Sequence, residues 1–246
     1  MENINGFIVL VDVSGYTKFV RTHNSKKVPV FGKIVSKQSE EHAEHIISDL
    51  LERVIEELEG TLTVNKLEGD AVLFFSNPEE LNEYPKVLLE KILSSFEVFT
   101  KRLSDIMFCE GTCVCDACHQ MGNLKLKSFI HYGDFVLKKV NRFEEIAGGN
   151  VILAHRLMKN SIASSEYILF TKSVQEVCDL THLGKIENRT EKCDDLGNIP
   201  VGVFYPNNEP QLSAEKSLFS KLIAKVKYFR VKKKRTSLIQ KFISAA

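Results

Sequence analysis

Two aspartates at the ends of apolar runs are the first candidates for chemistry. Asp12 closes the run that starts at Phe7, and Asp70 follows Gly69 between two apolar stretches, in the position of a hairpin turn. The first and third strands of a β-α-β-β unit are neighbours, so we expect both carboxylates at one edge of a sheet. Either residue alone would be an ordinary turn residue. Together they predict a site for two Mg²⁺ or Mn²⁺ ions, which could serve an in-line displacement at phosphorus.

The residues after Asp12 extend this prediction to a phosphate ligand. The turn Ser14-Gly15-Tyr16-Thr17 follows the first carboxylate directly. Its backbone N–H groups could bind the oxygens of a triphosphate.

A cysteine cluster forms a second, separate candidate site. Four cysteines fall within ten residues, and His119 follows the last of them. Four thiolates can close a structural Zn²⁺ site, and His119 or His131 could replace one ligand. The spacing is not a standard two-knuckle pattern, so redox-active thiols or unligated surface cysteines have equal weight. The cluster consists of Cys109, Cys113, Cys115 and Cys118.

The elements that must position these residues follow from hydrophobic periodicity. Apolar residues at helical spacing predict three helices, and short apolar runs with Gly-containing turns predict the strands. The order is β-α-β-β-α-β with further β-α-β elements, which predicts an α+β fold. It has a ferredoxin-like core and helices on one face of a mostly antiparallel sheet. The predicted helices are Ser39–Leu58, Tyr84–Leu103 and Val151–Asn160; the strands are Phe7–Asp12, Thr61–Leu67, Ala71–Phe75, Leu124–Tyr132, Phe135–Val140 (paired around Gly133-Asp134), Tyr167–Phe170 and Val201–Tyr205.

Four segments in this order resemble the signatures of class III adenylate and guanylate cyclase domains. Residues 11–17 (VDVSGYT) resemble F-x-D-I-x-G-F-T, and residues 66–70 (KLEGD) are similar to K-x-x-G-D. Residues 130–134 (IHYGD) resemble I-H-x-G-[DE], and residues 145–157 (EIAGGNVILAHRL) resemble D-x-x-G-x-x-V-N-x-A-x-R-L. The matches lie within a span from residue 7 to 205 and suggest a divergent bacterial branch with a cysteine-rich insert.

The resemblance implies a role for each matching residue. Asp12 and Asp70 match the metal-binding carboxylates. Lys66 matches the lysine that reads adenine, and Glu145 takes the position of its acidic or threonine partner. Arg156 matches the arginine that stabilises the transition-state phosphate, a task suited to its permanent charge and forked donors.

Two positions depart from the family pattern or match it loosely. Ile152 stands where the family has an asparagine that orients the ribose, and an isoleucine side chain cannot form hydrogen bonds. Loss of such positioning can cost on the order of 10²-fold in rate. Lys192 is matched, without a sharp motif around it, to the lysine that contacts the terminal phosphate.

The resemblance implies a homodimer that converts ATP to cyclic AMP and pyrophosphate with two metal ions at the subunit interface. Guanine or pyrimidine substrates stay open, because Glu145 is not the usual base-reading residue. The alternative is a catalytically degenerate domain that binds a nucleotide or dimerises as a regulatory module. The retained carboxylates favour the enzyme, and Ile152 favours the alternative.

The charge distribution predicts two regions in the chain. Residues 211–246 carry a balance of +9 and the remainder −8, whereas the whole chain is +1. We therefore predict a cyclase-like domain over residues 1–205, with an insert near 108–120, and a linker with a basic helical tail over 206–246. The tail could contact an anionic membrane surface or a protein partner, or dock on the acidic domain. Nucleic acid is disfavoured because no recognised motif or interleaved aromatic residues accompany the charges.

Composition predicts an ordinary globular protein in the cytoplasm. The apolar fraction is 43% and the charged fraction 26%. Glu2 and the early Asp12 argue against a signal peptide, and no apolar run reaches the length of a membrane-spanning helix. Membrane association is expected only through the basic tail.

Overall fold

A computed structural model describes residues 1–21, 32–109, 120–193 and 195–206. This part of the chain forms one mixed sheet of eight strands, with helices packed against it. The strands are β1 (Glu2–Ser14), β2 (Thr63–Glu68), β3 (Ala71–Phe75), β4 (Lys125–Val140), β5 (Phe143–Ala147), β6 (Tyr167–Thr171), β7 (Glu187–Cys193) and β8 (Gly197–Phe204). The α-helices are α1 (Tyr16–Arg21), α2 (Gly32–Leu58), α3 (Tyr84–Cys109), α4 (Gly149–Leu157) and α5 (Lys172–Val177).

The first four strands form the predicted ferredoxin-like core. Their order in the sheet is β2-β3-β1-β4, and all three neighbouring pairs are antiparallel. The sheet then continues through β6, β8 and β7, with β6 parallel to β4, while β5 pairs with the far end of β4. The prediction of an α+β fold with a βαββαβ core and added elements is confirmed.

Each face of the sheet buries its own apolar cluster, because side chains alternate along the strands. Phe7, Val9 and Val11 of β1 pack in the cluster that includes α2 and α3, whereas Ile8 and Leu10 pack in the cluster that includes α4. We refer to these sides as the α2/α3 face and the α4 face. The prediction that the helices share one face is therefore wrong for α4, whose buried Val151, Ala154 and Leu157 belong to the second cluster.

The long helices α2 and α3 form one layer on the α2/α3 face. Their buried residues recur at helical spacing, and Arg102 of α3 binds Asp49 of α2 through two nitrogens, at 2.6 to 3.1 Å. Gly60, with φ of 86°, lies two residues beyond the end of α2 and permits the reversal into β2. Among the described residues, no helix is long and apolar enough to cross a membrane.

The predicted strand pair around Gly133-Asp134 is wrong. β4 runs without a break from Lys125 to Val140, and Gly133 pairs with Gly6 inside the ladder between β4 and β1. Gly133 serves close packing there, because a Cβ atom at this position would lie 2.6 Å from Nδ2 of Asn150. The strand that turns back on β4 is β5, after Asn141 at φ of 58°.

Two predicted features lie outside the described residues. Cys113, Cys115 and Cys118 fall in the stretch 110–119, and only the backbone of Cys109 is described. The basic tail begins within the undescribed stretch 207–246. The zinc site and the contacts of the tail stay predictions.

Candidate functional site

A row of laterally paired residues crosses five strands near the end of β1. Glu68 of β2 pairs with Ala71 of β3, Ala71 with Asp12, Asp12 with Lys127 of β4, and Lys127 with Tyr167 of β6. Lateral partners project from the same side of a sheet, and Asp12 follows Leu10 by one alternation. The row therefore lies on the α4 face and holds both signs of charge. We refer to this row, together with Asp70 beside it, as the carboxylate row.

Asp12 is held in this row by an ion pair. Nζ of Lys127 lies 2.7 Å from Oδ2 of Asp12, and only 20% and 16% of the two side chains are exposed. Such a short contact between largely enclosed ionised groups is a strong, charge-assisted hydrogen bond. The prediction from sequence did not include Lys127, since its strand-mate Lys125 is equally basic and only the register of β1 and β4 tells them apart.

Asp70 lies in the β2–β3 turn, beside the end of β1. The N–H group of Val13 donates to the carbonyl oxygen of Asp70 at 3.0 Å, so the backbone of Asp70 adjoins the residue after Asp12. Burial and the nearby charge of Asp12 raise the pKa of Asp70 from 3.8 to about 6. A cation beside Asp70 would therefore stabilise the ionised form of its carboxyl group.

The turn after β1 is closed by a contact to α2. The hydroxyl group of Tyr16 donates to Oε1 of Glu44 at 2.7 Å, and this bond is the main reason that the pKa of Tyr16 rises to about 12. Gly15, at φ of 91°, makes the left-handed turn between β1 and α1, and a Cβ atom there would lie 3.1 Å from the carbonyl oxygen of Asn123. Glycine is therefore needed here for both conformation and space.

Lys66 forms an ion pair within its own strand. Its Nζ lies 2.8 Å from Oε1 of Glu68, whose other oxygen lies 3.4 Å from Nδ1 of His155 on α4. Glu145 of β5 instead faces Lys138 of β4, at 3.8 Å. The three residues Lys66, Glu68 and His155 thus connect β2 to α4 at the rim of the carboxylate row, and Glu68 and His155 were not predicted there.

The remaining predicted residues lie on α4 and β7. Arg156 makes an exposed contact with Asp195 at 3.5 Å, and Ile152 is 55% exposed, although it is a large apolar side chain. Lys192 lies exposed on β7, at the sheet edge four strands from β1. Within one chain the fold brings together Asp12, Asp70 and the turn after β1, whereas Lys192 lies four strands from β1, at the edge of the sheet.

The donor set at the carboxylate row suits a hard divalent cation. Asp12 and Asp70 offer carboxylate oxygens, which Mg²⁺ and Mn²⁺ prefer, and burial of Asp70 disfavours its uncompensated charge. Among the described residues, no third His, Cys, Asp or Glu completes a ligand set. Phosphate oxygens and water would therefore have to supply the other ligands.

Comparisons with known proteins agree with this arrangement at the level of the fold. The chain resembles the adenylyl cyclase CyaB from P. aeruginosa with a TM-score of 0.57 and 12% identity, over 82% of this chain and 96% of that chain. It resembles the GTP-bound guanylate cyclase domain of RhGC from Catenaria anguillulae with a TM-score of 0.53 and 12% identity, over 83% and 98% of the two chains. The chain has a nucleotidyl cyclase-like fold.

The sequence relatives of this cyclase-like chain carry no assigned activity. Residues 47–167 match a family model described as a protein of unknown function, DUF2652. The uncharacterized protein Rv2561/Rv2562 of Mycobacterium tuberculosis is 32% identical over 137 residues, which are 54% of this chain and 60% of that protein. The chain thus spans less than two thirds of the curated relative that it matches.

Proposed function

We propose that this chain binds a nucleoside triphosphate with divalent cations and converts it to a cyclic nucleotide and pyrophosphate, with ATP as the favoured substrate. The observation that carries the proposal is the convergence of Asp12, on β1, and Asp70, in the adjoining β2–β3 turn, where burial and the charge of Asp12 raise the pKa of Asp70 to about 6. Two carboxylates kept together at this electrostatic cost are typical of a cation site.

The residues of the chain would divide the work as follows. Asp12 and Asp70 hold the cations, which when bound help ionise the attacking oxygen and neutralise phosphate charge. The exposed guanidinium group of Arg156 binds phosphate oxygens as charge develops on them. Lys66 has three N–H donors, so its bond to Glu68 does not exhaust its capacity to bind the base.

A homodimer would complete the site. Lys192 lies on β7, four strands from β1, and Arg156 contacts Asp195 instead of either carboxylate, so a second copy would be needed to bring such residues opposite the carboxylates of the first. Large apolar side chains that are exposed near the predicted substrate residues favour burial against a partner of this kind. They are Leu67, Phe143, Ile152 and Leu196.

A degenerate, nucleotide-binding module is the second candidate, and Ile152 favours it. The side chain of Ile152 is 55% exposed, so it fills no core position that would explain an apolar residue there. Without the amide that the family carries, the ribose loses an orienting hydrogen bond. Nucleotide binding can survive this loss because the carboxylates, Arg156 and Lys66 are unaffected by it.

The test is incubation of the purified chain with each of the four common nucleoside triphosphates and Mg²⁺ or Mn²⁺, followed by chromatographic analysis of products. We expect a cyclic product whose specific rate rises with protein concentration and is abolished by Asp70→Ala but not by Glu176→Gln, a change to an exposed carboxylate on α5. Cyclic product that persists in Asp70→Ala would refute the proposed site. A metal-dependent rise in melting temperature without turnover would instead support the binding module, and Ile152→Asn should then restore slow product formation.

A further inference from the structure

Lys127 pairs with Asp12, one of the two predicted metal-binding carboxylates. Its Nζ lies 2.7 Å from Oδ2 of Asp12, and only 20% of its side chain is exposed. Its place is fixed by its register between Asp12 of β1 and the buried Tyr167 of β6. Lys127 is therefore a built part of the site rather than a passing surface contact.

A lysine in this place changes the charge that the site offers to metal ions. Asp12 and Asp70 together carry two negative charges when ionised, and the ammonium group cancels one of them. A divalent ion on the same oxygen of Asp12 would lie close to the ammonium group, so the two cations would repel each other. Two divalent ions at this site would both draw on the charge of Asp12, and Oδ2 of Asp12 is already bound by Nζ of Lys127.

We propose that Lys127 takes the place of one of the two divalent ions, so that the carboxylate row accepts a single ion while Lys127 neutralises Asp12. The inference rests on the proposed function and corrects its expectation of two ions. In this arrangement Asp70 would be the main protein ligand of the single ion, and phosphate oxygens or water would supply the other ligands. Lys127 acts as a positioning residue, because it fixes the charge and orientation of Asp12.

A second lysine pair on β4 supplies a matched comparison. Lys125 projects from the same side of β4 and lies 3.5 Å from Glu166, which is buried. This pair is similar in residue types and enclosure, but it involves neither Asp12 nor Asp70. Lys125→Met therefore controls for the loss of a partly buried lysine without altering the carboxylate row.

The experiment is a titration of the full chain with Mn²⁺ alone at pH 8, in which free Mn²⁺ is followed by electron paramagnetic resonance. Even in the dielectric of bulk water, repulsion between an ammonium group and a divalent ion about 4 Å apart weakens binding of the ion roughly 30-fold. We expect Lys127→Met to bind Mn²⁺ at least about tenfold more tightly than the wild type. Lys127→Arg and Lys125→Met should match the wild type, and Asp12→Asn should remove the gain from Lys127→Met.

The outcomes separate this inference from the proposed function. Equal Mn²⁺ affinity in Lys127→Met and the wild type overturns the inference, whatever the nucleotide assay gives. A gain that Lys127→Arg shares also overturns it, because arginine keeps the charge. If Lys127→Met does not fold by circular dichroism, Lys127→Gln is measured in its place against the same criteria. A gain that depends on Asp12, in a chain that cyclises no nucleotide, supports the inference and refutes the enzymatic proposal.

Discussion

The raised pKa of Asp70 predicts that the candidate site costs the protein stability. Its pKa rises from 3.8 to about 6, so the folded state binds the proton more tightly than the unfolded state does. Each pKa unit corresponds to about 1.4 kcal/mol, which gives about 3 kcal/mol for the full shift. The side chain is only partly buried, and solvent screening reduces this to about 1–2 kcal/mol. Asp70→Asn should therefore stabilise the metal-free protein above pH 6 by this amount.

The sign of the pH dependence follows from linkage. Well below pH 3.8, both states of the wild type bind the proton, and Asp70→Asn gives no advantage. As the pH rises towards 6, the folded wild type holds a proton that the unfolded chain has lost, and the stability of the wild type falls relative to the variant. Above pH 6 the difference is constant.

The assay is thermal unfolding in metal-free buffer at several values between pH 4 and pH 8, with Glu176→Gln as the control for loss of an exposed carboxylate. The stability gain corresponds to a rise in melting temperature of roughly 2–8 °C for Asp70→Asn at pH 8. Added Mn²⁺ should raise the melting temperature of the wild type and leave that of the variant unchanged. A variant that is less stable than the wild type at pH 8, or equally stabilised at pH 4, would refute the reasoning.

Two further predictions concern the packing around the site. Glu191 is buried, lies 2.7 Å from Nε of Arg189 and accepts a hydrogen bond from the N–H group of Ser161 at 2.8 Å. Glu191→Ala should therefore lower the free energy of unfolding by about 3 kcal/mol, as measured by chemical denaturation. A loss below about 1 kcal/mol would contradict this account. In Gly133→Ala the new Cβ would lie 2.6 Å from Nδ2 of Asn150, and we expect a loss of about 1–3 kcal/mol. Gly149→Ala, whose Cβ would meet nothing within 4 Å, is the control and should be neutral; equal effects in both variants would exclude close packing as the cause.

The elements that bring Asp12 and Asp70 together were predictable because each has a strong local signal. The apolar run before Asp12 and the Gly69 turn define strands in isolation, and the βαββ order then makes those strands neighbours. The partners of these residues were not predictable in the same way. Lys127 and Lys125 look alike in sequence, and only long-range register assigns one to Asp12 and the other to Glu166.

The errors of prediction also have physical causes. Gly133-Asp134 has the composition of a turn, but Gly133 is required for the close approach of Asn150 and His131, and the strand continues through it. β7 was not predicted because it is highly polar. Its buried Glu191 is compensated by Arg189 and Ser161, which periodicity alone does not reveal.

Ile152 and Lys127 are expected to affect different parts of the proposed reaction, the ribose and the metal site respectively. This difference decides whether a binding assay or a turnover assay is the more informative. In the proposed reaction Ile152 would remove an orienting hydrogen bond from the ribose, whereas Lys127 would take the place of one cation beside Asp12. Neither change removes Asp70, Arg156 or Lys66, on which binding of the triphosphate and base would depend. Each departure would therefore lower the rate of the proposed cyclisation more than the affinity for nucleotide. We expect nucleotide binding to be measurable at ordinary protein concentrations, and cyclisation to be slow enough that its detection needs long incubation at high protein concentration.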